Sequence, residues 1–209
     1  MSDVIYRCLL KSDYDRIKEM INEAFGFSEF IKDERFLDYV LNIYLQNCIL
    51  ASSFSKIAEK NNKVIGVILG SANKDKNHLR KAHNFLSVAS TMVKVVFTSK
   101  ENKKAVKEFS KITSVYNEII EGKKDTFQGC IQLFIVSEES RGLGVGKSLV
   151  SYLFDYMKSM DVKALYLYTD TRCNYGFYES QNFKRINERL VHFDSIKDSL
   201  NVFLYGYDF

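Results

Sequence analysis

Residues 132–148 read Gln132-Leu133-Phe134-Ile135-Val136-Ser137-Glu138-Glu139-Ser140-Arg141-Gly142-Leu143-Gly144-Val145-Gly146-Lys147-Ser148. Leu133 to Val136 is a run of bulky and β-branched residues, the composition of a buried strand. A short charged loop and three alternate glycines follow. Beyond them Leu149, Val150, Leu153, Phe154 and Met157 recur at helical spacing to about Met160. A strand that feeds a helix through glycines makes an anion site. The first N–H groups of the helix have no internal partners, the dipole adds partial positive charge, and glycine lets a phosphate approach the backbone.

Spacing decides between the phosphate loops. A P-loop needs four residues between its first glycine and Gly-Lys-Ser. Gly142 leaves three before Gly146-Lys147-Ser148, and the position required holds Arg141. A dinucleotide fingerprint needs G-x-G-x-x-G, and glycines at 142, 144 and 146 fall one residue short. Arg-x-x-Gly-x-Gly, with Arg141, Gly144 and Gly146, fits instead. It resembles the acetyl-CoA pyrophosphate loop of the GNAT N-acetyltransferase superfamily. A second segment strengthens the resemblance. After a strand-like Ala164–Thr169 comes Asn174-Tyr175-Gly176-Phe177-Tyr178-Glu179-Ser180-Gln181-Asn182-Phe183. It is similar to a shortened form of that family's Asn…Tyr…Gly-Phe signature, with Asn174, Tyr178 and Phe183 in the matching places. Asn182 stands where the family has glycine, and asparagine best tolerates the left-handed backbone there. Gly176 replaces the usual small alanine.

Composition agrees. At 209 residues one domain, 1–209, is expected. A net charge of +4 with no long Lys/Arg block gives no reason to expect a nucleic-acid partner. Cys8, Cys48, Cys130 and Cys173 form no CxxC or metal-like spacing, so free buried thiols in a reducing cytoplasm are expected and no metal. The N-terminus has no signal-peptide pattern, and no apolar run reaches membrane-spanning length, so no membrane partner is expected.

Read in order, Val4–Leu10 is a strand. Ser12 is an N-cap with Asp15 as its acidic partner, and a helix runs to Phe25 with Ile17, Met20, Ile21, Ala24 and Phe25 on one face until Gly26 stops it. A second helix covers Glu34–Leu50, with Phe36, Tyr39, Val40, Ile43, Tyr44 and Cys48 inward. Strands at Phe54–Lys60 and Lys63–Ser71 flank Asn61-Asn62, a two-residue turn of positive φ. Residues 72–127 then hold two amphipathic helices, about 76–97 and 101–121. The first carries a stripe of Leu79, Ala82, Phe85 or Leu86, Ala89, Met92, Val93 and Val96. The second carries Ala105, Val106, Phe109, Ile112, Tyr116, Ile119 and Ile120. His78 and His83 fall in the first helix and read as solvated or capped. Strands at Lys184–Phe193 and Asn201–Phe209, with a short helix or loop at Ser195–Leu200, close the chain.

The resemblance implies an α/β (α+β) fold of the GNAT type. Its order is βααβββ, insertion, βαβαββ: a mixed, mostly antiparallel sheet with helices on both faces, plus the inserted helical hairpin. Strands 131–136 and 164–169 are its parallel neighbours that splay apart. It implies direct transfer of acetyl from acetyl-CoA, a cosubstrate, to a primary amine. The backbone of Arg141, Gly142, Leu143, Gly144, Val145, Gly146 and Lys147 and the Ser148 hydroxyl would hold the pyrophosphate. The backbone of Phe134, Ile135 and Val136 would pair with the pantetheine arm and offer an N–H to the oxyanion. Asn174 would bond the pantetheine, or cap the helix that follows. Tyr178 is the general acid, its phenol matched to a thiol leaving group, or it only packs. The family's strand carboxylate is replaced by Cys130 and Gln132, so the base is open, with water relayed from Glu138, Asp170 or an insertion residue as one route. Residues 26–33 with Phe25, Phe27, Phe30 and Tyr39 face the acceptor, or are core. The insertion is a lid, a homodimer surface or scaffold. The acceptor is a small-molecule amine. The alternatives are a peptide or protein acceptor, a non-catalytic acyl-CoA-binding module, and a P-loop protein.

Overall fold

The computed structural model of the chain describes residues 3–79, 81–96, 98–140, 142–193 and 197–209. Seven strands are present: β1 (Ile5–Arg7), β2 (Phe54–Lys60), β3 (Lys63–Ala72), β4 (Gly129–Val136), β5 (Ala164–Asp170), β6 (Lys184–Phe193) and β7 (Asp198–Asp208). They form a sheet in the order β1-β2-β3-β4-β5-β7-β6. Every neighbouring pair is antiparallel except β4 and β5. The sheet is mixed and mostly antiparallel, with helices on both faces, as the sequence implies. Two strands, β2 and β3, not three, lie between the helix at Glu34–Leu50 and the inserted helical pair.

One face carries α6 (Val145–Ser159), whose Val145, Leu149, Val150, Leu153 and Met157 are buried on the sheet. It lies close because the sheet offers glycines beneath it. A Cβ on Gly70 would stand 2.6 Å from Leu153, and one on Gly129 2.8 Å from Met157. The opposite face is divided. Helices α1 (Tyr14–Phe25) and α3 (Glu34–Leu50) cover the β2–β4 half through Ile17, Ile21, Leu41, Leu45 and Ile49. Helix α5 (Lys100–Ile120) covers the β7–β6 half, with Ile119 and Ile120 against Val191, Val202 and Leu204. Phe109 of α5 stacks on Phe27 at 4.7 Å and meets Phe30 at 5.0 Å, tying the two halves together. Phe27 and Phe30 bound α2 (Phe27–Phe30), a turn of helix in a stretch read as loop.

The hairpin turn is as expected, with Asn61 and Asn62 at φ 53° and 60°, and Gly26 ends α1 at φ 65°. Other boundaries move. Strand β1 is only three residues long. Ser12 lies in a 3₁₀ turn (Lys11–Asp13) and α1 starts at Tyr14, because the Asp13 carboxylate is held by the Leu10 N–H at 2.8 Å and by both terminal nitrogens of Arg7 at 2.7 Å. The buried stripe of α3 is Phe36, Leu41, Leu45 and Ile49, about one residue on from the stripe read, so Tyr39, Val40, Ile43, Tyr44 and Cys48 are half-buried at its edge. Strand β7 begins at Asp198, so 198–200 is strand; 195 and 196 lie outside the described residues. Cys8 is exposed, not buried.

Helix α4 (Ala82–Val96) overturns its expected stripe. Phe85, Leu86 and Val93 are 53%, 69% and 58% exposed, and Met92 is exposed too. The buried side is polar. Asn42 of α3 donates to the Ser87 and Thr91 hydroxyls, each at 3.0 Å, and Asn84 donates to Gln46 at 2.6 Å and to the Tyr14 hydroxyl at 3.1 Å. Residues 84, 87 and 91 share one helical face, and facing Asn42 and Gln46 their hydrogen bonds, not the apolar stripe, set the roll of the helix. His78 precedes α4, and His83 keeps a buried Nε2 without a partner among the described residues. Phe97 and the side chain of Val96 lie outside the described residues.

Candidate active site

Strands β4 and β5 pair only at Gly129–Leu165 and Cys130–Tyr166. Beyond Cys130 they part, and among the described residues the β5-facing edge of β4 has no strand partner up to Val136. On the other edge the register steps from Gly70–Ile131 to Leu69–Leu133, leaving Gln132 as a bulge residue. The bulge reverses the alternation. Ile131 faces α6, Leu133 and Ile135 pack with α1 and α3, and Phe134 and Val136 return to the α6 face. Gln132 accepts the Cys48 thiol on its carbonyl at 3.6 Å and donates through Nε2 to Ser71 at 3.2 Å.

At the end of β4 the glycine loop turns into α6. Gly142 and Gly144 sit at φ 82° and 74°, a conformation costly to other residues, and a Cβ on either would meet nothing within 4 Å. The Ser148 N–H is bonded to the Gly144 carbonyl at 3.1 Å; among the described residues the N–H groups of Val145, Gly146 and Lys147 are bonded to no carbonyl. Leu143 and Lys147 are exposed, Ser148 is half-buried, and Val145 is buried, so Val145 offers only its backbone. A Cβ on Gly146 would stand 3.2 Å from the Phe177 ring, so glycine there seats α6 against α7 (Gly176–Ser180). The structure gathers Gly142, Leu143, Gly144, Val145, Gly146, Lys147 and Ser148 at one end of the split. Arg141 lies outside the described residues.

Helix α7 crosses the split from the other strand. Phe134 of β4 meets the rings of Phe177 at 5.4 Å and Tyr178 at 6.1 Å. Tyr178 is 8% exposed, and its hydroxyl has no hydrogen-bond partner among the described residues. Burial, with smaller contributions from Cys173 and Asp170, raises its pKa well above the usual phenol value, so it stays protonated. Asn182 closes α7 at φ 65°. Asn174 is exposed and its side chain caps nothing. Of its two expected roles, capping is not seen.

Through the split, on the α3 and α5 side, lies a set of groups the sequence brought together less well. Tyr166, Tyr168 and Asp170 share one face of β5 by alternation. Tyr168 stacks on Tyr116 of α5 at 4.1 Å and 8°, and its hydroxyl donates to the Tyr116 carbonyl at 3.0 Å. Asp170 is 7% exposed. Its Oδ1 accepts the N–H of Arg172 at 2.8 Å and of Cys173 at 3.3 Å, but burial outweighs these and raises its pKa. Burial pushes Cys48, Cys130 and Cys173 up to about 12, leaving neutral thiols. The period-two spacing of Tyr166, Tyr168 and Asp170 was the available signal; Tyr44 and Tyr116 had none beyond helical spacing. Phe25, Phe27, Phe30 and Tyr39 are engaged in packing, with Phe25 on Tyr44 at 5.7 Å and Lys94 over Tyr39 at 5.0 Å.

Two surface hollows of about 480 and 510 Å³, by His192, Phe193, Lys197, Asp198 and Ser199 and by Arg7 and Arg16, lie elsewhere. Among the described residues no group of His, Cys, Asp or Glu is placed to hold a metal ion, and no helix is long and apolar enough to cross a membrane.

The model of the acetyltransferase (GNAT) family matches residues 14–183. The chain belongs to the GNAT family. Solved acetyltransferases share its fold. The ribosomal-protein-S18-alanine N-acetyltransferase of Escherichia coli superposes with TM-score 0.57 at 10% identity, over 99% of this chain and 94% of that one. A polyamine N-acetyltransferase of Drosophila melanogaster, described as forming N-acetylagmatine, gives 0.58 at 9% identity over 99% and 100%. An N-acetyltransferase of Staphylococcus aureus Mu50 gives 0.54 at 14% over 99% of each chain. No curated protein matches the chain.

Proposed function

We propose that this protein, acting as one unit over 1–209, transfers an acetyl group from acetyl-CoA to a primary amine by direct attack. The observation that carries the reading is the parting of β4 from β5 after Cys130, with a free strand edge at Phe134–Val136 and Tyr178 across from it. Acetyl-CoA fits what is there. The exposed glycine turn ahead of α6 suits a diphosphate, through the N–H groups of Val145, Gly146 and Lys147 with Arg141, Gly142, Leu143, Gly144 and Ser148. The open edge of Phe134, Ile135 and Val136 suits the amide-bearing arm, which would add to the sheet as a strand does. Asn174 has a side chain free to bond that arm. The cosubstrate supplies the activated acyl group. The chain binds and orients it, and Tyr178 holds the proton that the departing sulfur takes.

The acceptor is a small-molecule amine. Two of the three neighbours are named for their acceptors, a ribosomal-protein alanine and a polyamine, so the fold alone does not choose between acceptor classes. Helix α5 walls the acceptor side of the split through Tyr116, which supports an enclosed site. The exposed Phe85, Leu86, Met92 and Val93 of α4 are the surface a homodimer would use. The site of action is the cytoplasm, where free cysteines persist. Calorimetric titration with acetyl-CoA, beside ATP with Mg²⁺, tests the cofactor, and thiol release with an amine panel tests turnover. Micromolar acetyl-CoA binding and amine-dependent thiol release are expected. Binding without release over the panel would leave an acyl-CoA-binding module; an ATP response instead would reopen the glycine loop.

A further inference from the structure

A carboxylate buried in a protein is ordinarily paired with a cation, because removing its charge from water is costly. Asp170 is buried, and among the described residues no cationic side chain is hydrogen-bonded or ion-paired to it. Among the described residues the cation nearest it in sequence is Arg172, two residues on, and its guanidinium is engaged with other carboxylates. It donates to Glu29 at 2.8 Å and to Asp198 at 2.8 Å, and rests on the Phe30 ring. Arg172 is hydrogen-bonded to Asp170 through its backbone N–H alone, and its charge, felt from a distance, lowers the Asp170 pKa less than burial raises it. The other groups that face Asp170 are neutral: Tyr44 of α3, Tyr116 of α5, Tyr178 of α7 and the Cys173 thiol, each close enough for its titration to feel the carboxylate. Tyr178 approaches from the cofactor side, and Tyr44 and Tyr116 from the other. Asp170 therefore stands where the parted strands join the two sides.

We propose that Asp170 binds the ammonium of the acceptor and takes its proton, and that the acceptor is a singly charged primary amine on an apolar or aromatic arm. This rests on the acetyl-transfer reading above. The ammonium would supply the direct cationic partner that no described side chain gives Asp170. The phenols around it suit a flat or apolar arm, and a second cationic group on the arm would meet no second carboxylate among them. The step balances. The ammonium gives one proton to Asp170, and the nitrogen lone pair forms the C–N bond at the thioester carbonyl. The C–S bond breaks, the sulfur leaves with the Tyr178 proton, and the second nitrogen proton restores the phenol. Asp170 releases its proton to water. The base thus comes from β5, where β4 offers only Cys130 and Gln132.

The test is thiol release by the full chain with acetyl-CoA and phenethylamine, n-butylamine or spermidine, across pH, for wild type and Asp170→Asn. Asparagine keeps an oxygen for the Arg172 and Cys173 N–H groups, and acetyl-CoA affinity with a thermal melt checks that the variant is folded. Expected are preference for the two monoamines, a kcat/KM that rises with pH on a limb above the ordinary carboxylate range, and loss of that limb in Asp170→Asn. The variant's rate should fall about 10²–10⁴-fold at unchanged acetyl-CoA affinity. A variant within threefold of wild type, with the same limb, overturns the role of Asp170. Preference for spermidine overturns the acceptor class. Acetyl-CoA binding without turnover of any of the three amines overturns this inference while the cofactor assignment stands; no acetyl-CoA binding removes the reading beneath it.

Discussion

At the scale of single residues, the split holds two acids whose surroundings push them to different work. Tyr178 is pressed among Phe134, Phe177 and Phe183, and burial keeps its proton on. A phenol that only packed would be replaceable by phenylalanine at little cost. Tyr178→Phe should instead lower kcat about a hundredfold while acetyl-CoA affinity changes little; equal losses in both, from the same rate and calorimetry measurements, would reduce it to packing. Asp170 makes a thermodynamic prediction as well. Its folded pKa is raised by burial, so the folded state holds the proton more tightly than the unfolded chain. The linked stability is therefore full below the ordinary aspartate range and is lost as pH rises through the raised value. At neutral pH the ionised carboxylate weighs against folding. Asp170→Asn should then melt higher than wild type at pH 7, with the gap closing as the pH falls toward 4. A variant that melts lower at pH 7 would mean that Asp170 holds the fold through more than its charge. The sequence carried both residues, but only Tyr178 lay in a recognisable motif. What singles out Asp170 is the commitment of Arg172 to Glu29 and Asp198, partners 143 and 26 residues away in sequence, which no local pattern encodes.

At the scale of elements, legibility followed the number of constraints each segment obeys. The β2–β3 hairpin was readable to within a residue at its strand ends because two asparagines in the left-handed region fix the turn. The strand, glycine turn and α6 were readable because positive φ at Gly142 and Gly144, an apolar strand and an apolar stripe agree. Helix α4 was misread because periodicity reports amphipathicity, not which side faces in. Its polar ladder finds Asn42 and Gln46 on α3, and that pairing is visible only in three dimensions. The parting of β4 from β5 depends on the bulge at Gln132 and on α7 wedging Phe177 and Tyr178 against Phe134, again a tertiary matter. The glycine turn gives the clearest element-level test. Gly144→Glu sets a side chain at φ 74°, at about 1–2 kcal/mol of backbone strain, and points a negative charge into open space beside α6. Helix content should be retained, since nothing within 4 Å is displaced. Acetyl-CoA affinity should fall about a hundredfold or more, like charges in contact being costly by several kcal/mol. Calorimetry reads the loss and circular dichroism the fold; unchanged affinity would move the pyrophosphate elsewhere.

At the scale of the whole molecule, the helical pair between β3 and β4 is the feature whose role the sequence left most open. A lid should pack lightly on its partner and be removable. Helix α5 does not behave so. Ile119 and Ile120 are buried and close a cluster with Val191, Phe193, Leu200, Val202 and Leu204. Asn187 of β6 donates to the Ile119 carbonyl at 2.9 Å, and Tyr168 caps the Tyr116 carbonyl. Phe109 packs between Phe27 and Phe30. Removal of 76–121 would uncover one half of a sheet face, so the shortened chain should lose cooperative unfolding as well as its acceptor site. A milder change separates wall from lid. Ile119→Ala empties a site in this cluster and should lower stability by about 2–5 kcal/mol in urea, with the m-value unchanged. Because Ile119 lies a full turn beyond Tyr116, acetyl-CoA affinity should hold below the melting range. Were α5 a lid that opens in the ground state, Ile119→Ala would instead leave the urea midpoint nearly where it was and alter turnover, and the equilibrium melt distinguishes the two without knowledge of the acceptor.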